Sequence, residues 1–201
     1  MSATSFALFE TALGICGLAW SGQGIAAVAL PEDDPARLRA RFTRKWPEAV
    51  ESPPPPGLDA VVLAIKALLA GEAADLSAAP LDFGEIGAFE RRVYEIALTI
   101  PPGRTLTYGE IAARLGDKAL SRAVGQALGR NPFPIVVPCH RVLAAGGRTG
   151  GFSGPGGVST KFRLLEIERA HAREEGLFSA SGGLALQPSP RRRPPSALMR
   201  T

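Results

Sequence analysis

Residues 107–130 leave room for little besides two short helices meeting at a tight turn. Thr107 and Glu110 have the Thr-x-x-Glu spacing of a capping box, and Ile111 and Leu115 recur at i, i+4 before Gly116 stops the run. After a turn at Asp117-Lys118-Ala119, a second helix is expected from about Ser121, read as its N-cap, through Arg130 to the break at Asn131-Pro132. Val124 and Leu128 would face a core, while Arg122, Gln126 and Arg130 share a polar face. The pair reads as a helix-turn-helix. Its second helix is thin, because Ala123, Gly125, Ala127 and Gly129 leave few long side chains. An interior glycine costs about 1 kcal/mol against alanine, so the thinness points to a surface that another backbone approaches closely. A DNA minor groove is one such partner.

The apolar run 134–138 then delivers Cys139, with Pro138 before it and His140 and Arg141 after it. Read as an extended strand, the run sends successive side chains to opposite faces, so His140 would reach Cys139 through a bridging water. A free thiol has a pKa near ~8.5, and at neutral pH needs a neighbour that takes its proton or stabilises its anion. A cysteine that merely fills a buried strand is the plain alternative. Taken alone, Cys-His leaves the two readings level.

Together these segments carry a resemblance. The stretches 87–94, 100–103, Thr107-Tyr108-Gly109, Ser121-Arg122-Ala123-Val124-Gly125, Asn131-Pro132 and Val137-Pro138-Cys139-His140-Arg141-Val142 resemble the O6-alkylguanine-DNA alkyltransferases, the methylated-DNA-protein cysteine methyltransferases. The similarity is dense over about residues 84–170 and only outlined over the first 83. Inactive members of that family carry tryptophan at the cysteine position, where this chain has Cys139.

Charge is distributed unevenly. Residues 1–83 hold six Lys/Arg against ten Asp/Glu, residues 84–175 hold thirteen against nine, and the remainder holds four arginines and no acid, so the total of +4 conceals an acidic first half. The basic half is the one with the helix pair, which suits a polyanionic partner. Cys16 and Cys139 are the two cysteines, and the early apolar residues are interrupted by Gly14, Gly17, Ser21 and Gly22. Reduced thiols, a cytoplasmic location and no membrane partner are expected. The two cysteines and two histidines lack the local spacing of a zinc site, so no metal is expected, although some relatives carry zinc.

The fold class expected is α/β (α+β): a small N-terminal sheet-plus-helices domain over 1–83, then a mainly helical domain over 84–175 with the helix-turn-helix and the cysteine, and a disordered basic tail over 176–201. Residues 5–11, 14–20 and 24–30 read as a three-stranded meander, with Cys16 in its core beside Trp20. A helix is expected over 34–49 with Pro35 at its first position, then a polyproline spacer over 53–56. An apolar helix is expected over 58–70 and a short strand over 81–83. A helix over 86–99 would be entered through Asp82-x-x-Glu85 and stopped by Ile100-Pro101-Pro102-Gly103. Residues 146–157 hold seven glycines in twelve. No Gly-Lys-Ser/Thr follows, so they read as a loop wrapping a flat base rather than a phosphate cradle. A last helix is expected over 161–172. The tail, with Arg191-Arg192-Arg193, reads as unstructured.

The resemblance implies roles. Cys139 would take an alkyl group from O6 of a guanine rotated out of double-stranded DNA, with no cofactor and once per molecule, the protein acting as a monomer. His140 would accept the thiol proton through water, Glu168 would orient His140, and Asn131 would hold the junction between recognition helix and cysteine segment. Arg122 would fill the gap in the duplex, Tyr108 would crowd a phosphate and donate to the base, and Gly125, with Ala123, would let the helix into the groove. Arg141, the Val142 carbonyl and the Ser153 amide complete the expected DNA- and base-contacting set. Phe152 stands where the family commonly has tyrosine, and the 155–160 stretch is two residues longer than usual. A non-catalytic helix-turn-helix protein that binds DNA or senses lesions would account for the basic half without using Cys139. A Cys-His hydrolase would account for the thiol without the thin helix.

Overall fold

In the computed structural model, which describes residues 3–168 other than 33 and 73, the chain opens with an antiparallel meander of β1 (Ser5–Thr11), β2 (Gly14–Ser21) and β3 (Gly24–Ala29). Alternation sends Cys16, Leu18 and Trp20 to one face and Ala19 to the other, and both faces are buried. α1 (Pro35–Lys45), capped by the Asp34 carboxylate on the Ala36 N–H, covers the second face with Leu38 and Phe42. Gly17 permits this: a Cβ there would lie 2.4 Å from the Phe42 ring. A fourth strand, β4 (Val50–Glu51), joins β1 in parallel and gives the order β3-β2-β1-β4. It is two residues long and runs into the prolines, so no alternation announced it. α2 (Pro56–Leu69) packs Leu58, Val61, Ile65 and Leu68 beneath the first face.

Leu81 makes a single bridge to Ile25, after which α3 (Ala88–Leu98) begins. Its entry differs from the expectation. Gly87 occupies the cap position, and Asp82 instead accepts from the Ser21 hydroxyl at 2.7 Å and the Gly84 N–H at 2.9 Å, tying the linker to the sheet. One apolar cluster runs through Cys16, Ile25, Ile65, Tyr94, Leu128 and Phe133, joining residues on both sides of position 83.

β5 (Leu106–Thr107) leads into α4 (Tyr108–Arg114), whose capping box is complete: Thr107 accepts from the Glu110 N–H at 3.1 Å and Glu110 accepts from the Thr107 N–H at 2.7 Å. A 3-10 turn, Lys118–Leu120, is capped by Asp117 and leads straight into α5 (Ser121–Gly129). Ser121 is therefore not an N-cap. Its hydroxyl donates to the Lys118 carbonyl at 2.6 Å, inside the joint between turn and helix. α5 is locked to α3 by the buried Tyr94 hydroxyl, which donates to the Ala127 carbonyl at 2.9 Å.

The largest departure lies at residues 134–142, which are not an extended strand. Turns carry the chain to a 3-10 turn, Cys139–Arg141, and only β6 (Val142–Leu143) is extended. Ile135 has φ 75°, unusual for a β-branched residue, and its side chain is buried. β6 pairs in parallel with β5. That two-residue ladder sets the first turn of α4 beside the cysteine turn. α6 (Gly157–Ile167) starts four residues before the expected helix. The expected end of that helix and the expected tail lie outside the described residues.

Candidate active site

Cys139 begins the 3-10 turn behind Pro138 and is partly exposed. Burial of its sulfur pushes the thiol pKa up, against the lowering influence of an Asn131 hydrogen bond, the Lys161 charge and the N–H groups of Cys139 and His140. The resting group is thus a thiol that needs a base. Asn131 is doubly fixed: its amide donates to the Val137 carbonyl and its oxygen accepts from the Phe133 N–H, each at 2.9 Å. It therefore pins the end of α5 to the cysteine segment.

His140 is fully buried, with Nε2 2.9 Å from Glu168 Oε1. Burial is the main influence holding its pKa below the ordinary value, so the ring is neutral at pH 7. A neutral ring that donates Nε2–H to Glu168 has Nδ1 as a bare acceptor, and Nδ1 is buried without a hydrogen-bond partner among the described residues. Burial alone would raise the Glu168 pKa. Hydrogen bonds from His140 and Arg141, with the Arg141 charge beside them, outweigh it and bring the carboxyl down to about 2.

Arg141 departs from the expected DNA-contacting role. It is 5 % exposed, donates to both Glu168 oxygens at 2.9 and 2.8 Å, and reaches the Ile100 carbonyl with a third nitrogen. A guanidinium so occupied holds the carboxylate in place and has no surface to offer DNA.

Lys161 was not anticipated. It is fully buried, and its ammonium donates at 2.6 Å to the carbonyls of both Val142 and Thr149 and at 3.4 Å to that of Gly151. It ties β6 to the glycine-rich loop, 5.8 Å from the centre of the Tyr108 ring. Burial lowers its pKa to about 8. A signal was available: Lys161, Leu164, Leu165 and Glu168 fall at i, i+3, i+4 and i+7, putting two charges on the apolar stripe of α6. Val142 itself is buried, and its carbonyl already accepts from Lys161.

A cavity of ≈ 570 Å³ opens between α4, α5 and the loop, with Tyr108, Arg122, Gly125, Gln126, Ser153 and Cys139 in its lining. Arg122 is exposed and Ala123 half-buried. Internal packing does not demand the two glycines of α5, although Ala127 is fully buried in the core. A Cβ at Gly125 would rest 3.8 Å from Tyr108, and one at Gly129 would meet nothing within 4 Å. The expected Arg122/Gln126/Arg130 face is shorter than it read, because Arg130 is paired with Glu90 of α3 at 2.7 Å. The Ser153 hydroxyl donates to the Gly129 carbonyl at 2.7 Å, closing the loop onto the end of α5. No helix among the described residues is long and apolar enough to cross a membrane.

Fold and site together define a thiol nucleophile with a buried imidazole–carboxylate pair behind it and a helix-turn-helix in front. Residues 88–170 match a family model described as the DNA-binding domain of 6-O-methylguanine DNA methyltransferase. A methylated-DNA–protein-cysteine methyltransferase of Methanothermobacter thermautotrophicus is 39% identical over 152 residues, 76% of this chain and 78% of that protein. One from Methanosarcina acetivorans is 34% identical over 165 residues, 81% of this chain and 97% of that protein. Among solved structures, Mycobacterium tuberculosis OGT in complex with DNA superposes with a TM-score of 0.66 at 33% identity, covering 84% of this chain and 96% of that one. The chain belongs to the methylated-DNA–protein-cysteine methyltransferase family.

Proposed function

We propose that the protein repairs double-stranded DNA by moving an alkyl group from O6 of guanine onto Cys139, each molecule acting once. Inside a duplex the O6 substituent is out of a thiol's reach, so the nucleotide must leave the stack, at a cost of a few kcal/mol that is smaller for a mispaired base. α5 enters the groove with Gly125 and Ala123 against the DNA, Arg122 occupies the vacated position, and Tyr108 meets the everted nucleotide at the cavity wall. His140 Nδ1 draws the thiol proton through a bridging water while Glu168, held by Arg141, fixes the ring. The sulfur attacks the alkyl carbon in line, the carbon–oxygen bond breaks with its electron pair passing to the base, O6 becomes the carbonyl oxygen, and a proton matching the one His140 took from the thiol returns to a ring nitrogen to give guanine. The Val142 carbonyl and Ser153 amide border the base, and Asn131 keeps the cysteine turn in register with α5.

Residues 84–175 would supply DNA contact and chemistry and residues 1–83 the supporting sheet. The protein would work as a monomer in the cytoplasm. The thioether has no route back to a thiol, which makes the reaction single-turnover.

The observation that carries this reading is a cavity lined by both Cys139 and the thin face of α5, backed by His140 with its acceptor nitrogen uncommitted. Incubation with duplex DNA bearing O6-methylguanine, followed by peptide mass analysis, tests it. One methyl at Cys139 is expected, and none in Cys139→Ala, which keeps its affinity for DNA. Tight binding of the lesion duplex with no methyl on wild-type Cys139 would sink the proposal and favour a non-catalytic DNA-binding or lesion-sensing protein.

A further inference from the structure

Cys139 lines a second cavity, of ≈ 550 Å³, that reaches away from α4 towards the N-terminal half. Its far wall is the end of α1, with Phe42, Lys45 and Trp46, and beside them stand Arg41 and Arg130. Three cations therefore line this chamber and no carboxylate does. Arg41 leans on Glu32 at 3.3 Å and Arg130 on Glu90 at 2.7 Å, both outside the lining. Lys45 has no carboxylate partner among the described residues, and its ammonium sits 4.4 Å above the Trp46 ring. Lys45 and Arg41 lie one helical turn apart, so like charges crowd one rim. Partial burial and the Arg41 charge both hold the Lys45 pKa below its ordinary value. An anion between them would relieve that crowding.

The two cavities share Leu128, Gly129, Cys139, Phe152 and Ser153. Cys139 belongs to both linings, so an alkyl carbon on its sulfur is presented to both chambers, and a longer arm that displaces the Ser153–Gly129 contact can run into the second. Resting on the alkyl-transfer reading above, the geometry points to a substrate-selecting subsite at the end of α1, in which Lys45 and Arg41 favour O6-alkyl arms of several carbons ending in a carboxylate. The chemistry is unchanged. The sulfur–carbon bond forms, the carbon–O6 bond breaks, guanine leaves, and the carboxylate stays on the arm as part of the new thioether. Cations gathered at a low-dielectric wall focus potential onto an entering anion, and salt weakens the effect.

The test uses duplexes carrying O6-methylguanine, O6-(3-carboxypropyl)guanine and the matching primary amide, whose arm has the same shape without the charge. The wild-type protein should transfer the carboxylate arm about tenfold faster than the amide at low salt. Arg41→Ala/Lys45→Ala should abolish that preference with the methyl rate unchanged, and Lys45→Glu should reverse it. Equal wild-type rates for carboxylate and amide, or a preference that survives the double substitution, would overturn the subsite. So would a parallel loss on all three substrates, which would assign these cations to the DNA backbone. Absence of methyl transfer by the wild-type protein would instead remove the underlying reaction, a separate and distinguishable failure.

Discussion

Burial works in opposite directions on neighbouring groups of the site. It raises the Cys139 thiol and lowers His140, so at neutral pH the thiol and the neighbouring imidazole are both uncharged instead of forming an ion pair. Proton transfer is then part of the reaction. Replacing His140 by alanine should slow methyl transfer by about 10²–10⁴-fold with duplex affinity unchanged. An equal loss of affinity, measured by anisotropy, would make His140 merely structural. Because burial holds the folded His140 pKa below the ordinary imidazole value of about 6.5, the acid limb of the rate profile should also fall below that pH. Glu168 is a stability element as well. Its pKa is depressed from 4.5 to about 2, so its contribution is present above the unfolded value and is lost as pH falls through about 2. Urea unfolding across that window should show wild-type stability declining on acidification and Glu168→Gln declining less. At neutral pH the variant should be about 3–5 kcal/mol weaker, because Arg141 is left buried and unpaired.

The glycines of α5 run against helix propensity, and no contact among the described residues requires them at 125 or 129. A methyl group at Gly125 fits beside Tyr108, so Gly125→Ala should stabilise the free protein by up to about 1 kcal/mol. The same variant should bind duplex more weakly. Tighter binding, or loss of stability, would mean the glycine serves internal packing. Arg122→Ala should impair repair in duplex far more than dealkylation of the free base, since only the duplex has a gap to fill; equal losses would remove that role. Local chemistry made α4 and the meander legible. A capping box has one geometry, and glycine-bounded alternation has one periodicity. The cysteine segment was misread as a strand because Val136 and Val137 favour extended backbone, whereas Ile135 at positive φ and two prolines turn the chain instead. Glu168 was matched to His140 through the family resemblance, since nothing in local spacing joins residues so far apart. Lys161 was overlooked because a lysine on a helix reads as solvated until its stripe is counted. Arg141 stands among the expected DNA contacts only through the family resemblance, and the tertiary arrangement alone reveals its carboxylate.

Across the whole molecule, one apolar cluster carries sheet, α2, α3, α5 and the cysteine segment together. Thermal unfolding followed by tryptophan fluorescence, which reports Trp20 and Trp46, should therefore coincide with the loss of helical circular dichroism in a single transition. Two separated transitions would show the halves to be energetically independent. That continuity matters for chemistry, because the end of α1 in the first half and Cys139 in the second line a common cavity. The account as a whole rests on a nucleophile consumed by its own reaction. The most direct measurement titrates O6-methylguanine duplex against a fixed amount of protein and counts methyl groups on Cys139 by mass spectrometry. Lesion removal should stop at one per protein, with every transferred methyl on Cys139. Continued turnover beyond that point, or methyl appearing elsewhere while Cys139 stays free, would contradict it.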